Sequence, residues 1–325
     1  MRRREFIRLL GGAAAAWPQA GLSEQATLPL VGFLQPGAPS SAAHYLTAFH
    51  QGLLSTGHIE GKTLLVEYRW AQGHYERLHS LATDLIALGV SIIAAGGPGA
   101  VVAVKSITST IPIVFIVGDD PVKDGLVERL NHPGGNLTGV TVFTTAELWG
   151  KRLELLHELL PVVSAVTVLY NANDPNPDAE QINEAGRALG LQVSFANVVT
   201  DAQLAAAFAA ASGHGAEALL VSDKPFFTVR HSKIVGLAAR YLVPAIYGWR
   251  EYVEAGGLLS YGNRLTDAWQ QVGVYTGKIL NGETAGELPV VQPTAFELVI
   301  NMKTAYTLGV TVPPTLLARA DEVIE

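Results

Sequence analysis

The chain contains no cysteine. That excludes disulfides, thiolate nucleophiles and thiolate-bound metals together, and with them a lipid anchor on a processed N-terminal cysteine. Charge is also scarce. Only 16% of the 325 residues are Asp, Glu, Lys or Arg, and the formal net charge is −7. No Lys/Arg cluster follows the first eight residues, so the chain lacks the electrostatic footprint of a nucleic-acid or anionic-membrane binder. No apolar run approaches the roughly 20 residues that a membrane span requires. The nine histidines are scattered. His74 and His79 stand five apart rather than four, which is the wrong spacing for a helical metal pair, and no cofactor or metal is expected. No G-x-S-x-G elbow occurs, since Leu258 sits two residues before Ser260.

What is present begins at the front. Arg2-Arg3-Arg4-Glu5-Phe6-Ile7-Arg8 precedes a short apolar run from Leu9 to Trp17, then small residues. A charged region, a weak apolar region and small residues in that order form an export signal, and paired arginines before Phe point to the twin-arginine route. A basic surface helix is the alternative, but Gly11-Gly12 and four alanines make poor amphipathic material. Cleavage is expected between Ala20 and Thr27, leaving a soluble periplasmic chain that is more acidic than the precursor.

Beyond the leader, apolar runs and helical spacings alternate. Strands are predicted over Leu30–Leu34, Leu64–Tyr68, Val90–Ala95 and Ile113–Val117, with helices between them. A turn cluster at Pro133-Gly134-Gly135-Asn136 then restarts the pattern. The second half is predicted to hold strands at Val166–Tyr170, Gln192–Ala196, Ala218–Val221, Ala245–Tyr247 and Leu258–Ser260. Helices are predicted over Ala146–Leu160, Asp201–Ala211, Thr266–Leu280 and, at the close, Leu316–Ile324. Runs this apolar are buried on both faces, as in parallel sheets, and the order is that of a doubly wound α/β protein.

Three features carry chemistry. Gly97-Pro98-Gly99 follows a strand and opens a helix, where free N–H groups and the dipole favour a carboxylate or other small anion; an unliganded tight helix start is the plainer reading. Asp119-Asp120 end a strand before Pro121. Adjacent residues on an extended chain point opposite ways, so one Asp would meet a ligand, unless Asp120 merely caps the turn. Aromatics gather after the second-half strands, at Phe226-Phe227, Tyr247-Gly248-Trp249 and Tyr261, in loops that face a ligand crevice. Gly57-His58-Ile59-Glu60-Gly61-Lys62-Thr63 has one residue too few for a phosphate loop and precedes a strand.

The blocks Asp120-Pro121-Val122, Gly125-Leu126-Val127, Pro133-Gly134-Gly135-Asn136, Lys151 to Leu156 and Gly256 to Gly262 closely resemble the substrate-binding proteins of one class of ABC importer. So do Leu288 to Pro293, Phe296 to Asn301 and Ala320 to Glu325. That class is related to tryptophan and tyrosine binders, and the likeness runs from Leu30 to Glu325. Asp119 departs from it, standing where a small residue is usual, and so does Arg129, standing where Ser is usual.

The resemblance implies a type I periplasmic binding fold, two doubly wound parallel-sheet lobes joined by three crossovers. The leader is then 1–27. The N-terminal lobe is 28–141 plus about 264–288, and the C-terminal lobe is 142–263 plus about 289–325. The crossovers are expected near Val140–Val142, Tyr261–Arg264 and Leu288–Gln292.

The implied partners are a small solute and the membrane subunits of an ABC permease, with no nucleic acid and a monomeric state. Candidate ligand contacts are Gln35, Pro36, Gly97, Pro98, Gly99, Asp119 and Asp120 from the first lobe. Asn171, Asp223, Tyr247, Trp249 and Tyr261 are the candidates from the second. An amino acid or related carboxylate is the expected guest, with a neutral sugar or nucleoside as the alternative. The rival function is a secreted hydrolase or isomerase on the same scaffold, using Asp119, Asp120 or Asp223.

Overall fold

The computed structural model describes residues 28–39, 42–118, 120–142, 146–172, 179–213 and 218–325. The leader and Asp119 lie outside the described residues, and so do the expectations placed on them.

The apolar runs become strands, and those inside each sheet have both faces covered, whereas the edge strands Leu65–Trp70 and Gln192–Asn197 contain no fully buried residue. In the first lobe, β1 (Leu30–Gln35), α1 (Ala43–Ser55), β2 (Leu65–Trp70) and α2 (Leu78–Ala87) are followed by β3 (Ile92–Gly96) and α3 (Pro98–Lys105). Then come β4 (Ile113–Val117) and β5 (Leu137–Thr141). All five residues of β3, β4 and β5 are buried, so no alternation was available in their sequences. The sheet is parallel in the order β2-β1-β3-β4-β5.

In the second lobe, α4 (Ala146–Leu159), β6 (Ala165–Tyr170), α5 (Ala179–Ala188), β7 (Gln192–Asn197) and α6 (Asp201–Gly213) lead to β8 (Ala218–Val221). Next are α7 (Pro225–Thr228), α8 (His231–Tyr241), β9 (Ala245–Tyr247), α9 (Arg250–Glu254) and β10 (Leu259–Asn263). The chain closes with α10 (Leu265–Leu280), β11 (Phe296–Asn301), α11 (Met302–Thr307), α12 (Pro314–Leu317) and β12 (Glu322–Ile324). The second sheet runs β12-β11-β10-β9-β8-β6-β7, with β10 and β11 antiparallel and the other neighbours parallel.

Five strands of each sheet therefore share one winding. β2-β1-β3-β4-β5 is repeated as β7-β6-β8-β9-β10. The order reverses between β1 and β3 in one lobe and between β6 and β8 in the other. In open α/β sheets the ligand crevice opens at such switch points, beyond the carboxyl ends of the strands.

The chain passes between the sheets three times. It leaves β5 for α4, returns from β10 to α10, and leaves again for β11. Helix α10 is held in the first lobe by α1, where the two backbones nearly touch. A Cβ on Gly52 would lie 2.0 Å from Gln270 O, and one on Gly273 would lie 2.1 Å from Phe49 O. The last passage is anchored before it crosses. Thr138 Oγ1 donates to Leu288 O at 2.6 Å, Tyr275 OH donates to Pro289 O at 2.6 Å, and Val291 N–H donates to Gly139 O at 2.9 Å.

The closing segment differs from its sequence reading. Leu316–Ile324 is not one helix. Pro314 starts a four-residue helix, and Glu322–Ile324 then joins β11 as a parallel edge strand. Asp321 fixes the change of course: its N–H donates to Leu298 O at 2.9 Å, and its Oδ2 accepts the Leu298 N–H at 2.8 Å. Among the described residues no helix is long and apolar enough to cross a membrane.

Candidate functional site

A cleft of about 790 Å³ lies between the two sheets, inside the roughly 300–1,000 Å³ range of small-molecule sites. Its first-lobe wall is built from strand ends. Gln35 and Pro36 follow β1, Trp70 ends β2, Gly97 and Pro98 follow β3, and Gly118 follows β4. The second-lobe wall holds Asp223, Lys224, Arg230, Trp249, Glu251 and Tyr252.

Aromatic packing forms the first-lobe floor. Phe33 centres a cluster with Trp269 at 5.1 Å and Trp70 at 5.6 Å, and both tryptophans reach the cleft. The loop after β2 is tied to the loop after β1: Gln72 N–H donates to Gly37 O at 3.0 Å and Gly73 N–H to Pro36 O at 2.7 Å. Gln72 adopts φ 55°, a left-handed conformation that is uncommon for a residue with a side chain. Those two bonds hold it there, on the cleft wall.

In the second lobe a buried ion pair sets the wall. Arg152 on α4 is fully buried. Its Nη2 donates to Asp223 Oδ2 at 3.1 Å, and its Nε donates to Tyr261 O at 2.7 Å. Glycines make room for the guanidinium. A Cβ on Gly248 would lie 2.9 Å from Arg152 Nη2 and 2.6 Å from Asp223 Cβ. Trp249 Nε1 donates to Asp223 O at 3.1 Å, so one residue organises both the indole and the guanidinium.

Bonds cross the cleft directly. Tyr45 OH on α1 donates to Glu251 Oε1 on α9, and His44 Nε2 lies 3.2 Å from the same oxygen. Lys224 Nζ donates to Gly118 O at 3.2 Å, and Asn263 Nδ2 donates to Val142 O at 3.3 Å beside the first two crossings. Burial foremost, and the Glu251 carboxylate second, push the Tyr45 hydroxyl well above its ordinary pKa. Burial raises the Glu251 carboxyl, but the bonds from His44, Tyr45 and its own backbone outweigh that and leave it below the ordinary glutamate value. The lobes are thus held together by charge-assisted bonds.

The sequence candidates divide on this geometry. Gln35, Pro36, Gly97, Pro98, Asp223 and Trp249 line the cleft. Gly99 does not, because it packs toward Leu78 and Tyr75, 3.1 and 3.3 Å from where its Cβ would be. Asp120 is occupied as a turn cap: its Oδ1 accepts the Val122 N–H at 3.0 Å and the Lys123 N–H at 3.3 Å. Asn171 is buried at the end of β6, outside the lining. Tyr247 stacks behind Tyr252 with ring centroids 4.5 Å apart and is one layer removed. Tyr261 stacks on Phe296 at 5.8 Å and is not among the residues that line the cleft.

The start of α3 is also less open than its sequence implied. Gly97 N–H donates to Ile116 O at 2.8 Å, Pro98 has no N–H, and the Ala100 and Val101 amides fold back to Gly97 O. Of these first amides, only that of Gly99 lacks a partner among the described residues.

Reading by residue type overlooked Arg152 and Glu251. A charged residue inside a helix pattern reads as a solvated face. The available signals were Leu153, Leu155 and Leu156 around Arg152, and Trp249 two residues before Glu251. Among the described residues no group of three or more His, Asp and Glu could hold a metal ion.

The architecture is the type I periplasmic binding fold, with two α/β lobes and the cleft between them. The sequence profile of the ABC transporter substrate binding protein family matches residues 38–324, and the chain belongs to that family. A tyrosine-binding protein of Clostridioides difficile (strain R20291) is 24% identical over 268 residues, 80% of this chain and 75% of that protein. The crystal structure of a conserved domain protein from Vibrio cholerae O1 biovar El Tor superposes with a TM-score of 0.81 at 27% identity, over 91% of this chain and 100% of that one. An ABC domain from Streptococcus pneumonia in complex with L-Trp does so with a TM-score of 0.81 at 24% identity, over 92% of this chain and 100% of that one.

Proposed function

We propose that this protein is the soluble, exported capture component of an ABC importer, and that its solute is an amino acid or a closely related carboxylate with an aromatic or apolar body. The observation that carries the reading is the composition of the cleft. Trp70, Trp249, Tyr252 and Trp269 supply flat apolar faces, while Glu251, Asp223, Lys224 and Arg230 supply both signs of charge. Such a mixture suits a zwitterion with a ring better than a neutral sugar. The relatives that bind tyrosine and tryptophan support the same chemistry.

The solute's carboxylate is matched by the cations of the second lobe, since the start of α3 presents no open amide to the cleft. Arg230 lies 4.1 Å above the Phe226 ring and gives its Nε to Asp201 and one terminal nitrogen to Phe226 O. Its other terminal nitrogen makes no hydrogen bond among the described residues and is offered to a ligand. The Asp201 carboxyl, held by Lys233 first and Arg230 second, sits below its ordinary pKa and is ionised where it meets Arg230 at 2.7 Å.

The protein releases its solute unchanged in this reading. Asp223 is engaged by Arg152 and Asp120 by its turn, which leaves both poorly placed as general bases. The two lobes correspond to about 28–141 with 264–288 and about 142–263 with 289–325. The leader over 1–27 sends the chain through the twin-arginine route to the periplasm, where the monomer delivers its cargo to permease subunits. Thermal denaturation with each amino acid in turn tests the reading: a true ligand at a hundredfold excess over its Kd adds roughly 2.7 kcal/mol.

A further inference from the structure

Glu251 stands where both lobes and the cleft meet. It lies in the first turn of α9, two residues after Trp249 and beside Tyr252, and all three residues line the cleft. Two donors from the first lobe, Tyr45 OH and His44 Nε2, converge on the same oxygen, Oε1. The other oxygen, Oε2, is buried and accepts no hydrogen bond from the described residues. A carboxylate offers about four acceptor sites, and a buried charged oxygen without a donor is costly.

The neighbouring groups do not relieve it. Arg250, the adjacent cation, is turned to three other acids: its Nε reaches Glu254 at 2.8 Å, its Nη1 reaches Glu297 at 3.0 Å, and its Nη2 reaches Glu322 at 2.5 Å. Glu254 and Glu297 add negative charge to the same neighbourhood and help raise the Tyr45 hydroxyl. Arg264 faces Glu297, at 3.4 Å, rather than Glu251. The surroundings of Oε2 therefore favour a cation that the described residues do not supply.

We infer that Glu251 couples capture to closure: Oε1 fastens the two lobes through Tyr45 and His44, while Oε2 takes the cationic nitrogen of the solute. The inference rests on reading the cleft as an amino-acid site and adds the residue that recognises the ammonium. Closure without an ammonium strands Oε2, so the open form is favoured. An ammonium that reaches Oε2 removes that cost only in the closed form, and a ligand shifts such an equilibrium by its differential affinity for the two states. A carboxylate of the same shape without the amine lacks this term and is discriminated against.

Calorimetry with L-tyrosine, L-tryptophan and their des-amino acids, 3-(4-hydroxyphenyl)propanoate and 3-(indol-3-yl)propanoate, tests this on the parent, Glu251→Gln and Tyr45→Phe. The parent is expected to prefer the amino acid by about 30-fold or more, as a lost charge-assisted bond implies. Glu251→Gln is expected to narrow that ratio to about 3-fold or less. Tyr45→Phe is expected to weaken both members of each pair, to keep their ratio, and to reduce the ligand-induced compaction seen by small-angle scattering. A parent-like ratio in Glu251→Gln overturns the inference and leaves the amino-acid reading standing. A collapsed ratio in Tyr45→Phe also overturns the division of labour between the two oxygens. A parent that binds neither the amino acids nor the des-amino acids overturns the amino-acid reading itself, and the inference falls with it. Should Glu251→Gln fail to fold, the parent ratio and the Tyr45→Phe ratio still decide.

Discussion

Arg152 and Asp223 are 71 residues apart in sequence and form an ion pair, Nη2 to Oδ2 at 3.1 Å, with 0% and 4% of their side-chain surfaces exposed. Removing one partner of such a pair strands the other charge, at roughly 3–5 kcal/mol. Arg152→Met is therefore expected to lower unfolding free energy by about that amount, read from urea melts. Arg152→Met with Asp223→Asn should recover part of it. Full recovery is not expected, because Arg152 Nε also holds Tyr261 O. If Arg152→Met is neutral, the pair does not hold up the second-lobe wall.

That pair also shows where sequence reading stops. The strands were legible as apolar runs between Gly and Pro, and Ile113–Val117, Ala218–Val221 and Ala245–Tyr247 fall where predicted. Gly248 stands in the sequence only as part of an aromatic loop, whereas its lack of a Cβ is set by Asp223 Cβ at 2.6 Å and Arg152 Nη2 at 2.9 Å, contacts no local pattern reveals. The tail reads as a helix from its leucines and alanines, but Val323 and Ile324 pair with β11. Tyr247 and Tyr261 follow the rule that loops after parallel strands face the crevice, yet Tyr252 and Phe296 stack on them instead. Tertiary partners decide such positions.

The contact between α1 and α10 depends on glycine. Gly273→Leu places a side chain where its first carbon would meet Phe49 O at 2.1 Å and the Gly52 Cα at 3.0 Å. Backbone cannot yield there as a side chain can, so destabilisation at or above the roughly 1–3 kcal/mol of ordinary overpacking is expected. A parent-like thermal midpoint would show that the helices are farther apart than described.

Closure is expected to depend on pH through Glu251. Its carboxyl is lowered where His44 and Tyr45 reach it across the cleft, because those bonds and its own backbone outweigh burial. A group with a depressed pKa stabilises the state that depresses it above its ordinary value and ceases to do so as the pH falls through the depressed one. Affinity should therefore hold at neutral pH and fall on acidification below about pH 4.3. Glu251→Gln should show a flatter profile over the same range. Equal slopes for the two proteins would contradict the assignment.

Export is expected to require Arg3 and Arg4. Replacing both with Lys should leave the precursor in the cytoplasm, as seen by fractionation and immunoblotting. Normal periplasmic accumulation of that variant would remove the twin-arginine route and leave other routes open.

The central claim is that the cleft captures an amino-acid-like solute and returns it intact. Titration calorimetry of the purified mature protein against the amino acids, followed by mass spectrometry of the released ligand, measures this most directly. The account predicts one-to-one binding of at least one aromatic or apolar amino acid, quantitative recovery of that molecule, and affinity weakened tenfold or more by Trp249→Ala, roughly the 1.4 kcal/mol of one lost aromatic contact. A chemically altered product, or binding that Trp249→Ala leaves unchanged, would contradict it.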